Sequence, residues 1–128
     1  MSRTRIIALG DSLTKGVVLR NDNRYAVTDS NYMDIISSEL DMSVENYGKF
    51  GCTVGFGNNM IDRHYAEIAD SDYTFLEYGG NDCDFDWMKI AQAPDMDHSP
   101  KTGLESFGEQ FLKLIERVRS LGSVPVIV

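Results

Sequence analysis

Four short strand candidates, three of them closed by glycine, set the limits of what this chain can fold into. They are Arg5-Ile6-Ile7-Ala8-Leu9, Ser43 to Tyr47, Tyr73 to Tyr78 and Val124 to Val128, and Gly10, Gly48 and Gly79-Gly80 follow the first three. Runs of this length bounded by turn residues read as buried strands. The stretches between them have helical spacing. Tyr32 to Leu40 places Met33, Ile36 and Leu40 on one face, with Ser30 or Asn31 as its cap. Met60 to Ile68 is a weaker helix. The strongest helix spans about Gly103 to Leu121, where Leu104, Phe107, Phe111, Leu114, Ile115, Val118 and Leu121 form one stripe. Thr102 with Glu105 fits a capping box at its start, and Gly122 is placed to end it. Strand alternating with helix predicts βαβ units, an α/β fold with a parallel sheet covered on both faces.

The chain of 128 residues suits a single domain, 1–128. It carries 20 acidic against 12 basic residues, a net charge of −8. That balance repels phosphate backbones, and no basic stripe offsets it, so no nucleic-acid partner is expected. No apolar run approaches the roughly 20 residues that span a bilayer, so no membrane partner is expected either. After Met1 to Arg5 only Ile6 to Leu9 are apolar, short of the about 7–15 in a secretory signal, so the expectation is a soluble cytoplasmic protein. Cys52 and Cys83 form neither a disulfide framework nor a zinc-site spacing. Asp82, Asp84 and Asp86 alternate like a calcium loop, but Trp87 and Ala93 stand where that loop needs Gly and Glu. No metal or organic cofactor is implied.

In a parallel α/β sheet, ligands bind beyond the carboxyl ends of the strands. Three groups stand there. Ser12 follows the first strand and presents a hydroxyl at a strand-to-helix junction, where it serves equally well as a helix cap. Gly51, in Asn46 to Thr53, lets a backbone N–H approach a ligand oxygen, or simply forms a turn. The stretch Gly51 to Gly57 suggests a phosphate loop, but Gly48-Lys49 is followed by Phe50, so the Walker pattern fails. Asn81, in Gly79-Gly80-Asn81-Asp82, offers a neutral N–H donor suited to a developing oxyanion, or again a turn. Together they supply the parts for attack on a carbonyl. Phe85 and Trp87 lie just past Asn81, and Phe56 near Gly51. They suit stacking on a sugar, contact with an acyl chain, or core packing.

Gly10-Asp11-Ser12-Leu13, Asn46 to Thr53 and Gly79-Gly80-Asn81-Asp82 resemble, in order and spacing, the first three blocks of the SGNH hydrolases, the GDSL-type esterases and lipases. The resemblance covers essentially the whole chain. It implies a flavodoxin-like three-layer sandwich with strand order 2-1-3-4-5. It implies serine-dependent hydrolysis of an acyl ester, of carbohydrate O-acetyl or lipase/acylhydrolase type, acting on a small-molecule substrate. By that resemblance Ser12 is the nucleophile. Its N–H, the Gly51 N–H and the Asn81 side chain form the oxyanion hole, with Asp11, Gly80 and Asp82 in support.

The family's last block, Asp-x-x-His, supplies the general base and its orienting acid after a fifth strand. Here Val128 closes the fourth. Asp62-Arg63-His64 has the wrong spacing. Asp95 and His98 have the right spacing but lie in the long loop Asp82 to Lys101, and both histidines read as solvent-facing. The triad His and Asp are thus expected outside these residues, through C-terminal truncation, and the fragment is expected to be inactive alone. A degenerate family member, or a flavodoxin-like non-catalytic binding module, is the alternative. A fourth strand without its neighbour leaves Val124 to Val128 as an apolar edge, expected to self-associate.

Overall fold

The computed structural model describes residues 3–128. The chain order is β1 (Arg5–Gly10), α1 (Ser12–Lys15), β2 (Val17–Leu19), β3 (Tyr25–Val27), α2 (Tyr32–Glu39), β4 (Ser43–Asn46), α3 (Val54–Arg63), α4 (Tyr65–Ala69), β5 (Tyr73–Glu77), α5 (Trp87–Gln92), α6 (Leu104–Ser120) and β6 (Val124–Ile127). Four strands form one sheet in the order β4-β1-β5-β6. Every pairing in it is parallel, so all four carboxyl ends lie along one edge.

The four strand candidates are these four strands. Alternate residues of β1 face opposite ways and fill two cores. Ile7 and Leu9 pack with Leu76 against Val54, Met60 and Ile61 of α3 and Leu114 and Val118 of α6. Ile6 and Ala8 pack on the other side against Met33 of α2 and the half-buried Val44 and Phe75. Helices on both faces of a parallel sheet make a three-layer α/β sandwich.

Several local expectations change. Asn31 caps α2 by accepting from Met33 N at 2.8 Å and Asp34 N at 3.1 Å, and Asp34 returns the bond as a capping box. The box expected at Thr102 and Glu105 does not form. Gly103 occupies the cap position of α6 and provides no side-chain bond. Gly122 does end α6, in the left-handed region at φ 88°. The weak helix at 60–68 is two helices, α3 beginning at Val54 and α4 following a break at His64. A short antiparallel hairpin, β2 with β3, occupies residues 17–27 beside the main sheet. The long loop contains the six-residue helix α5.

β6 lies at the open edge, with Val124, Ile127 and Val128 more than half exposed. Val124 N and Val128 N bond inward to Asp72 O and Leu76 O, so residues 125 and 127 face outward. Pro125 has no N–H, and Ile127 offers the outward donor. The proline therefore blunts the backbone edge more than its place near the strand's start suggests. The exposed side chains remain sticky. A protein of these 128 residues is expected to self-associate at tens of micromolar, and Ile127→Lys to shift it towards monomer. Light scattering after size exclusion checks this, and a stable wild-type monomer would contradict it.

Candidate active site at the carboxyl edge of the sheet

Ser12 opens α1 immediately beyond β1. It is not the cap of that helix. Asp11 is, and its Oδ1 accepts from Leu13 N at 2.9 Å. The amides of this turn are nearly all occupied. Thr14 N donates to Glu77 Oε1 at 3.2 Å and Lys15 N to Asp11 O at 3.0 Å. Among the described residues the Ser12 N–H has no protein acceptor, as expected at the first position of a helix.

The loop after β4 packs directly on this turn. Lys49 N donates to Gly10 O at 3.0 Å, and Asn46 Nδ2 donates to Thr14 O at 2.6 Å. Gly48 permits the approach, because a Cβ there would lie 2.3 Å from Lys15 N. Gly51 is exposed and left-handed at φ 75°, with open space where a Cβ would stand. Glycine is needed there for backbone conformation, not for room.

The loop after β5 joins the other two. Asn81 Nδ2 donates to Cys52 O at 2.9 Å and to Asp11 Oδ2 at 3.3 Å. Both amide hydrogens thus have partners, and the bond to Asp11 is the weaker by its length. Asp82 is 2% exposed, and both its carboxylate oxygens lie 3.1 Å from Val54 N. It caps α3 from 28 residues away, where Thr53 makes no side-chain cap. A carboxylate at a helix N-terminus is also favoured by the helix dipole. Gly80 lies alongside, and a Cβ on it would be 3.7 Å from Asp11 Oδ2.

Ser12, Gly51 and Asn81 therefore stand on three loops that are bonded to one another at one sheet edge. Beside them, Gly79, Asp82, Cys83, Pro100, Thr102, Leu104 and Phe107 line a mostly apolar cavity of about 240 Å³. Phe85 is half-buried, and its ring lies 6.1 Å from that of Trp87. Trp87 is 64% exposed, so it is no core residue, and its indole N–H donates to Asp84 Oδ1 at 3.0 Å. That bond and the Phe85 N–H hold the Asp84 carboxyl below its ordinary range, the backbone bond contributing more. Phe56 packs against the larger core with Lys49 over its ring.

Neither histidine stands as its solvent-facing expectation had it. His64 is half-buried and stacks on Tyr47 with centroids 3.7 Å apart. His98 is half-buried, its Nε2 bonded to Ala93 O at 2.7 Å.

One residue of the site escaped the sequence reading. Glu77, at the end of β5, is 8% exposed and sits under the Ser12 turn. Burial, followed by a hydrogen bond that the protonated Glu77 carboxyl donates to Asp11 and by the charge of Asp11, pushes the Glu77 carboxyl up to about 7. Its signal was visible: it is the one acid in the apolar run Tyr73 to Tyr78.

No protein-family model matches the sequence, and neither does any curated protein. Solved structures do match. A member of the lipolytic protein G-D-S-L family from Veillonella parvula superposes with a TM-score of 0.60 at 25% identity, covering 97% of this chain and 57% of that one. The lipase/acylhydrolase from Enterococcus faecalis gives a TM-score of 0.65 at 20% identity, covering 95% and 55%. A catalytic mutant of Axe2, an acetylxylan esterase from Geobacillus stearothermophilus, gives 0.62 at 19%, covering 97% and 58%. The chain thus spans a little over half the length of each. With a parallel sheet in the order β4-β1-β5-β6, helices on both faces and these neighbours along almost all its length, the chain has the fold of the SGNH, or GDSL-type, hydrolases.

Proposed function

We propose that these residues carry the nucleophile and oxyanion half of a serine-dependent acyl-ester hydrolase. The observation that carries this reading is the bonding of the three loops: Asn81 reaches both Cys52 O, next to Gly51, and Asp11, next to Ser12. In the proposed reaction Ser12 Oγ attacks the carbonyl carbon of an ester. The Oγ proton passes to a general base and on to the departing alkoxide, which leaves as an alcohol. Water then attacks the acyl-enzyme, releases the acid and restores the serine. The Ser12 and Gly51 N–H groups and an Asn81 N–H hold the oxyanion in both steps. The base is a histidine oriented by an aspartate outside these 128 residues, since His64 and His98 are engaged elsewhere. The substrate is a carbohydrate O-acetyl ester or a lipid-type acyl ester. The exposed Trp87 suits the first, and the cavity lined by Leu104 and Phe107 the second. Cys52 and Cys83 are free, in keeping with a cytoplasmic setting.

The second reading is a non-catalytic binding module or a degenerate relative, favoured by the contacts of the two histidines, His64 on Tyr47 and His98 on Ala93 O. Covalent labelling separates the two. Treated with a fluorophosphonate probe, the complete product of the gene is expected to carry the adduct on Ser12 and none after Ser12→Ala. An unlabelled wild-type protein supports the second reading.

A further inference from the structure

Glu77 has a position that the reaction outlined above does not use. Its Oε1 accepts from Thr14 Oγ1 at 2.9 Å, Thr14 N at 3.2 Å and, at longer range, Asp11 N at 3.4 Å. Residues 11 and 14 flank Ser12 on its two sides. We propose that Glu77 is the positioning residue for Ser12: its carboxyl group clamps the turn before and after the serine and, through Asp11, ties that turn to Asn81. This rests on the reading of Ser12 as the nucleophile.

The hydrogen-bond directions support a clamp with a defined proton count. Thr14 has one hydroxyl proton, and Glu77 Oε1 is its acceptor. The 2.6 Å contact between Thr14 Oγ1 and Tyr32 OH is then a bond donated by the tyrosine. Donation therefore runs from Tyr32 on α2 through Thr14 to Glu77. On the other side the carboxyls of Asp11 and Glu77, 2% and 8% exposed, are in hydrogen-bond contact. Burial favours the neutral form of a carboxyl, and the raised Glu77 carboxyl, when it carries its proton, donates it to Asp11. Asp11 then has oxygens left for Leu13 N and Asn81 Nδ2. The clamp thus works by hydrogen bonding, and a neutral group of the same length should replace it.

That gives an order that a charge-based role would invert. In the complete gene product, Glu77→Gln keeps a carbonyl acceptor for Thr14 and supplies an N–H to Asp11. Its kcat should stay within about 3-fold of wild type. Glu77→Asp keeps the charge but is one methylene short of Thr14, and Glu77→Ala loses the clamp altogether. Both should lower kcat by about 10²-fold with KM nearly unchanged, the scale of a misplaced reacting group. If the alanine variant does not fold, the comparison of Gln with Asp alone decides. Wild-type kcat in the Asp or Ala variant, or a Gln variant as impaired as Asp, overturns the proposal. Ser12→Ala is the control. Turnover indifferent to that change overturns the reading of Ser12, whereas turnover that needs Ser12 but ignores Glu77→Ala overturns the clamp alone.

Discussion

Purified residues 1–128 are expected to hydrolyse p-nitrophenyl acetate about 10⁶-fold more slowly than a complete serine hydrolase, the scale of losing the triad base. A neutral serine hydroxyl is a weak nucleophile unless an adjacent base takes its proton. Neither histidine hydrogen-bonds Ser12 among the described residues. His64 lies flat on Tyr47, and His98 is bonded to Ala93 O within its own loop. The test compares this chain with its Ser12→Ala variant, because ester hydrolysis by other surface groups would be common to both. Robust turnover that disappears in Ser12→Ala would contradict the expectation. It would promote Asp95 and His98, and His98 would have to give up Ala93 O to reach the serine.

In the complete gene product, Asn81→Ala is expected to lower kcat by about 10²–10³ with little change in KM, as for removal of one oxyanion donor. The arrangement of its amide makes this more than a count of donors. Both hydrogens are engaged at rest, one on Cys52 O at 2.9 Å and one on Asp11 Oδ2 at 3.3 Å. The shorter bond holds the amide in place, and the longer and weaker one is the N–H that a forming oxyanion would take over from Asp11. Because that interaction strengthens only as charge develops, its loss falls on kcat and not on binding. An unchanged rate in Asn81→Ala would make the residue a tie between loops and nothing more.

The sheet was legible because its two central strands, β1 and β5, are buried and written in nearly continuous apolar letters. Ile6-Ile7-Ala8-Leu9 and Thr74-Phe75-Leu76 announce themselves wherever they fall. The hairpin at residues 17–27 was not, because Leu19, Tyr25 and Val27 are largely exposed and its strands are three residues long. The start of α3 was hidden for another reason. Thr53 stands at its cap position but makes no side-chain bond, and the carboxylate that does cap the helix, Asp82, comes from a distant loop. The same applies to Glu77. An acid inside an apolar strand is a visible anomaly, but its meaning depends on Thr14 and Asp11, more than 60 residues earlier. Ser12, Gly51 and Asn81 were found by motif. The bonds that join their three loops, from Asn81 to Cys52 O and to Asp11 Oδ2, are a property of the fold.

The cap that Asp82 places on α3 bears on the order in which the chain can assemble. A helix of ten residues is marginal alone, and this one has no local cap to nucleate it. Its first turn gains a carboxylate only after β5 has docked on β1 and brought Asp82 across. Closing a loop of that length must come before the reward for it. The start of α3 should therefore consolidate late, near the end of the climb to the native state. Substitutions at Asp82 should then mainly speed unfolding and leave the refolding rate nearly untouched.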